Sequence, residues 1–158
     1  MRLTTFSDYA LRVLLYAANA GDRLITIDET AKVYRVSRAH LMKVVNVLTR
    51  AGYLKAVRGR SGGLLLARPP EKIRLGDIIR LSEPDFALVE CFSAGNECIL
   101  TPCCGLPRVI NEALNAFMST FDRYTLADIA LKGRDFLPPH AKKQGIRGPH
   151  FARPRASH

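Results

Sequence analysis

Two short helical patterns separated by three residues, with a glycine-rich hairpin directly after them, leave a chain few ways to fold. Thr26-Ile27-Asp28-Glu29 is a capping box, a Thr N-cap with Glu three residues on. It predicts a helix to about Tyr34. Ser37 caps a second helix, in which Leu41, Val44, Val45 and Leu48 form one apolar stripe, and Gly52 ends it. The connecting Tyr34-Arg35-Val36 has room only for a turn. The pair therefore reads as helix-turn-helix.

The next residues extend that reading. Tyr53-Leu54-Lys55-Ala56-Val57 is a strand-like run, Arg58-Gly59-Arg60-Ser61-Gly62-Gly63 a turn, and Leu64-Leu65-Leu66-Ala67 a second strand. A hairpin placed there makes a winged helix. Upstream, Phe6, Tyr9, Ala10, Val13, Leu14 and Ala17 fall at helical spacing after Thr4 and Thr5, and Gly21-Asp22 stops them. Ile73-Arg74-Leu75 predicts a third short strand, and Gly76–Leu81 a helix. The expected class is mainly α with a small β-hairpin, and residues 1–81 form a winged helix-turn-helix DNA-binding domain.

Residues 82–105 read as a loop, broken by Pro84, Gly95, Pro102 and Gly105. A long helix follows from about Leu106. Its Ile110, Leu114, Phe117, Phe121 and Tyr124 are spaced 4, 3, 4 and 3 apart. That is the narrow seam of a coiled coil, expected to pack against a second copy of the chain, with packing on its own domain as the alternative. A short helix, Leu126–Leu131, completes a dimerisation unit over 106–131. Beyond it, Pro138-Pro139, Gly145, Gly148, Pro149 and Pro154 break any periodicity, so residues 132–158 are expected to be a disordered basic tail. His140, His150 and His158 lie there without a scaffold that would make them metal ligands.

Charge divides along the same boundaries. Residues 1–81 carry net +9, residues 82–131 net −5 and residues 132–158 net +6. A basic first half beside an acidic second half suits a polyanion. On the second helix of the motif, the face opposite the apolar stripe offers Arg38, His40, Lys43 and Asn46 to the major groove. Arg and Lys match guanine edges and phosphates, and Asn matches adenine. Arg35 and Ser37 are placed to meet phosphates. Arg58 and Arg60 at the wing tip enter the minor groove or clamp phosphates, and Gly62 and Gly63, with Gly59, let that backbone approach closely. The same glycines also suit a tight turn.

All four cysteines lie within fourteen residues, Cys91, Cys98, Cys103 and Cys104. A disulfide scaffold would spread them along the chain. Clustered thiols suit Zn²⁺ or an iron–sulfur cluster, and spacing alone does not choose between them. Paired CxxC knuckles are absent. Adjacent cysteines rarely hold one metal together, so three ligands and one bystander are expected. Buried free thiols or a redox disulfide are the plain alternatives.

Other classes fare less well. No run of about 18 apolar residues exists, so no membrane span is expected. The apolar stretch Ala10–Ala20 is interrupted by Arg12 and Asn19, and no signal-peptide cleavage pattern follows. A cysteine-dependent enzyme would need a catalytic base, yet the only histidine before the tail is His40. No phosphate-binding glycine loop precedes a helix. The chain is expected to be a regulator and not an enzyme.

Four segments together carry a more specific resemblance. They are the opening Met1-Arg2-Leu3-Thr4-Thr5-Phe6-Ser7-Asp8-Tyr9-Ala10-Leu11-Arg12, the helix start Val36-Ser37-Arg38, the wing Ala56-Val57-Arg58-Gly59-Arg60-Ser61-Gly62-Gly63, and Cys98-Ile99-Leu100-Thr101-Pro102-Cys103-Cys104. Over residues 1–131 the chain resembles the nitric-oxide-sensitive iron–sulfur repressors of the Rrf-type winged-helix regulator family. The resemblance implies a cytoplasmic homodimer on near-palindromic double-stranded promoter DNA. It implies one iron–sulfur cluster per subunit, 4Fe–4S favoured and 2Fe–2S possible, and release from DNA when nitric oxide attacks the cluster. The family's ligand pattern falls on Cys91, Cys98 and Cys104, while Cys103 stands where relatives usually lack cysteine. The gap from Cys91 to Cys98 is slightly longer than in relatives. The family's fourth ligand, an aspartate of the first helix from the other subunit, falls on Asp8. A carboxylate there also suits the helix dipole and pairing with Arg12. The alternatives are a related regulator that senses cluster supply or redox state, and a zinc-stabilised one.

Overall fold

The computed structural model describes residues 2–131. The tail expected to be disordered, with its three histidines, lies outside the described residues. Helix α1 (Thr5–Ala20) begins where the Thr4 hydroxyl accepts the Ser7 N–H at 3.2 Å. It buries Ala10, Val13, Leu14, Tyr16 and Ala17. These apolar residues recur three and four positions apart, so they form one stripe at the centre of the molecule. Helix α3 (Arg38–Arg50) packs across it, and α2 (Ile27–Tyr34) packs on α3 to make the helix-turn-helix. The expected capping box is present at Thr26 and Glu29. Leu41, Val44, Val45 and Leu48 are all buried, as their spacing predicts.

Strands β1 (Leu54–Val57) and β2 (Gly63–Leu66) pair antiparallel, with Leu54 opposite Leu66 and Val57 opposite Gly63. A third rung comes from upstream. Ile25 exchanges both backbone hydrogen bonds with Leu64, at 2.9 and 2.7 Å. The wing is thereby sewn to the segment that enters α2. The third strand expected at Ile73–Leu75 does not form. Pro70–Lys72 makes a 3-10 turn that directs the chain away from the hairpin. Arg74 then makes a single bridge to Thr125, flanked by Leu75 N–H to the Tyr124 carbonyl at 3.0 Å and Leu126 N–H to the Ile73 carbonyl at 2.8 Å.

Helix α4 (Leu75–Ser82) buries Ile78 and Ile79 against α1 and α5. Full burial of an Ile or Leu side chain contributes about 1.5–3 kcal/mol. Helix α5 (Leu106–Asp122) and the single-turn helix α6 (Leu126–Ile129) close the described chain. Helix α6 is shorter than the expected Leu126–Leu131, but its Leu126 is fully buried in the core. Between α4 and α5, residues 83–105 contain only one 3-10 turn, Glu90–Phe92.

Two small polar groups fix where that loop leaves the core. Ser7 and Ser82 are both buried, and Ser82 Oγ donates to Ser7 Oγ at 2.7 Å. Next to them, the Thr4 N–H donates to Glu83 Oε1 at 2.8 Å. The start of α1 and the start of the cysteine loop are therefore held together. At the other end, Arg80 makes two hydrogen bonds to the Asp122 carboxylate, at 2.7 and 2.6 Å, tying α4 to the end of α5. The guanidinium holds that carboxylate below its usual range.

Candidate nucleic-acid interface and cysteine loop

The surface of α3 divides as its sequence predicts. With the stripe buried on α1, the residues Arg38, His40, Lys43 and Asn46 are all exposed. Ser37 occupies the N-cap position, but its side chain makes no capping bond. Its hydroxyl stays available at the helix entrance. Arg35 adopts φ 54 and ψ 44 at the end of α2. It is the one non-glycine residue with positive φ among those described. That left-handed residue makes the turn, costs backbone strain of order 1–3 kcal/mol, and leaves Arg35 exposed beside the recognition helix.

Arg38 is not an isolated cation. Its Nε donates to Asp28 Oδ1 of α2 at 2.6 Å. Both groups are exposed, so the pair contributes at most about 1 kcal/mol. It serves to hold one guanidinium edge while the rest remains presented. The sequence reading missed Asp28, since the capping-box pattern accounts for that residue without any link to α3. His40 lies beside Tyr9 of α1, with ring centroids 6.5 Å apart.

The wing tip holds Arg58 and Arg60, both exposed. Gly62 and Gly63 have a firmer reason to be glycine than access to DNA. A Cβ on Gly62 would lie 2.3 Å from the Val57 carbonyl oxygen, and one on Gly63 would lie 2.7 Å from the Ile25 carbonyl oxygen. The hairpin itself demands them.

Part of the basic charge of the first half is spent internally. Arg68 donates to the Gly52 and Ala51 carbonyls at 2.8 and 2.9 Å, capping the end of α3, and stacks on Tyr53 with its guanidinium carbon 4.5 Å from the ring centre. Arg23 pairs with Glu29 at 2.8 Å. Glu29 also accepts the Tyr16 hydroxyl proton. Burial pushes the Glu29 carboxyl upward, but the bonds from Tyr16 and Arg23 outweigh it and hold the group below its ordinary value. Burial, then the bond to Glu29, raises Tyr16. Arg35, Lys43, Arg58 and Arg60 have no ion-pair partner among the described residues. The turn, the exposed face of α3 and the wing thus present unneutralised cations.

The cysteines lie in the loop between α4 and α5. Cys91 is half-buried in the 3-10 turn, and Cys98, Cys103 and Cys104 are exposed. None is in a disulfide. Asn96, unremarked in the sequence, organises the loop. Its Oδ1 accepts the Cys98 N–H at 3.0 Å and its Nδ2 donates to Thr101 Oγ1 at 2.7 Å. Asn commonly builds such local turns, and that propensity was the available signal. As a donor set, free thiols in one loop fit an iron–sulfur cluster. The described residues do not gather three Cys, His, Asp or Glu side chains around one point. Asp8 lies in the first turn of α1 and pairs twice with Arg12, at 2.9 and 2.8 Å. Its side chain is about half exposed.

Helix α5 leaves much of its seam uncovered. Ile110, Leu114, Phe117 and Phe121 are only partly buried, and Tyr124, Val109 and Leu106 are exposed. Phe117 and Phe121 meet edge to face, with centroids 5.0 Å apart. No helix among the described residues is long and apolar enough to cross a membrane.

Comparison with known proteins adds to this geometry. Residues 3–132 match the family model Rrf2, described as an iron-dependent transcriptional regulator. The chain is 47% identical over 133 residues to the HTH-type transcriptional regulator NsrR of Bacillus licheniformis, spanning 83% of this chain and 93% of the relative. It is 44% identical over 139 residues to NsrR of Bacillus subtilis, spanning 87% and 95%. Among solved structures it resembles IscR of T. potens, with a TM-score of 0.65, 27% identity, and coverage of 82% of this chain and 85% of that one.

Proposed function

Because the chain belongs to the Rrf2 family of transcriptional regulators, we propose that it is a nitric-oxide-sensitive repressor, acting in the cytoplasm as a homodimer that carries an iron–sulfur cluster. It is a DNA-binding transcriptional regulator and not an enzyme. The observation that carries the finer reading is a loop of free thiols mounted on a winged helix, in a chain 47% identical to a regulator named NsrR.

Arg38, His40 and Lys43 read base edges from the major groove, and Arg35 and Ser37 hold phosphates at the helix entrance. Arg58 and Arg60 anchor the wing, with Gly62 and Gly63 allowing its shape. Two such units, joined through α5, address half-sites about 34 Å apart. Cys91, Cys98 and Cys104 hold the cluster, one per subunit, of the 4Fe–4S type. The partner subunit's Asp8 completes the set, exchanging its pairing with Arg12 for the metal. When bound, the cluster offers iron that nitric oxide can ligate. The chain's own part is to translate a change at the loop into a change in helix placement. The contact between Thr4 and Glu83 supports that role, because it ties the start of α1 to the start of the loop.

The test is operator binding by the anaerobically purified protein, titrated with nitric oxide while the visible spectrum is followed. Affinity should fall about a hundredfold as the spectrum bleaches, which corresponds to about 2.7 kcal/mol of coupling. Constant affinity across the bleach overturns the proposal. The exposure of Cys98, Cys103 and Cys104 favours one second reading, a regulator of cluster supply or redox state. It predicts different affinities for cluster-loaded and cluster-free protein without a response to nitric oxide.

A further inference from the structure

Cys103 has no place in the ligand set above, yet it stands next to a cysteine that does. Both Cys103 and Cys104 are exposed and reduced. Their frame is built rather than loose. The Thr101 N–H donates to the Cys98 carbonyl at 3.2 Å, and the Cys103 N–H to the Leu100 carbonyl at 3.0 Å. The Asn96 side chain braces the same turns through its bonds to Thr101 and the Cys98 N–H. On the far side, α5 begins at Leu106. The Cys103 thiol donates only to the Leu100 carbonyl, at 3.4 Å, a weak bond that is cheaply given up.

We propose that Cys103 and Cys104 form a dithiol site for trivalent arsenicals in the cluster-free protein. An arsenic(III) oxide carrying one organic group has two positions open to sulfur. Two As–S bonds form, the As–O bond breaks, and both thiol protons leave with the oxygen as water. Arsenic stays trivalent and no sulfur is oxidised. Zinc would ask for four donors, which two adjacent thiols do not supply. Two thiols are what this arsenical needs. Once the first sulfur is attached, the second is an adjacent residue, so ring closure is intramolecular and strongly favoured over a second, separate thiol. The inference stands on the loop alone and survives if the cluster reading fails.

The full-length chain, stripped of metal with a chelator and reduced with a phosphine, is treated with one equivalent of phenylarsine oxide and weighed by intact mass spectrometry. An adduct of one phenylarsine oxide per chain, less one water, should persist against about a hundredfold excess of a monothiol. Dimercaptopropanol should remove it. Cys103→Ser and Cys104→Ser should each lose the monothiol-resistant adduct, and Cys91→Ser should keep it. Loss of the wild-type adduct to the monothiol, or its retention in Cys103→Ser, overturns the proposal.

Discussion

At the scale of single residues, the proposed function gives the four cysteines different tasks, and substitution should show it. Cys91→Ala, Cys98→Ala and Cys104→Ala should each abolish visible cluster absorbance after anaerobic reconstitution. Cys103→Ala should retain it, and a colourless Cys103→Ala protein would remove the ligand assignment. On the DNA side, Lys43 has no ion-pair partner and Arg38 has one in Asp28. If Lys43 meets a phosphate instead of the base edge proposed for it, Lys43→Ala weakens all sequences alike and lowers the salt slope by about 1. If Arg38 reads a base, Arg38→Ala costs about 1–3 kcal/mol and relaxes specificity at one position. Binding to operator and point-mutated operators across a salt series separates the two. Unchanged affinity in the double variant would show that α3 is not the reader. Asp28 was invisible to sequence reasoning for a clear reason. Its ten-residue separation from Arg38 crosses a left-handed turn at Arg35. Local periodicity does not extend through such a turn.

At the scale of elements, the hairpin is where sequence and structure agree in position, and where the structure favours the tight turn among the two causes the sequence offers. The glycines look like concessions to DNA, but Gly63 is held against the Ile25 carbonyl. Gly63→Ala should therefore destabilise the domain by about 1–3 kcal/mol, in the range typical of single substitutions with a steric cause. Urea unfolding of the free protein checks this without any DNA. A change within about 0.5 kcal/mol would mean that the Ile25 rung yields. The helices were legible because capping residues and 3.6-residue periodicity are local: Thr26 with Glu29 marks one start, and Leu41 to Leu48 marks one face. The third strand was misread because Ile73-Arg74-Leu75 has strand chemistry but its partner, Thr125, lies some fifty residues onward. Likewise the Ile25 rung was missed, since a single bridge leaves no alternation to detect. The cysteine loop was legible as chemistry and not as shape, because Asn96 organises it through side-chain bonds that no periodic pattern announces.

At the scale of the whole molecule, the uncovered face of α5 is the feature that asks for a second copy. Phe117→Glu with Phe121→Glu would place charge at the centre of that seam. The expected result is a monomer by analytical ultracentrifugation, with operator affinity reduced at least tenfold because two half-sites are no longer engaged together. A variant that stays dimeric would move the interface elsewhere. Residues 132–158 carry net +6. Truncation after Leu131 should lower salt-sensitive binding to random DNA while preserving the preference for operator. A truncate that loses its preference would assign the tail a part in recognition.

The hydrogen bond from Thr4 to Glu83 joins residues 79 positions apart. Closing so long a stretch of chain comes after the local turns of α1, α2 and α3, since distant contacts wait on nearby ones. The mounting point of the cysteine loop therefore does not exist until the winged helix is complete. Whatever the loop takes up is received by a finished domain and does not template it. Maturation should proceed in that order, with an apo form that is already folded, stable in store, and waiting for its cargo.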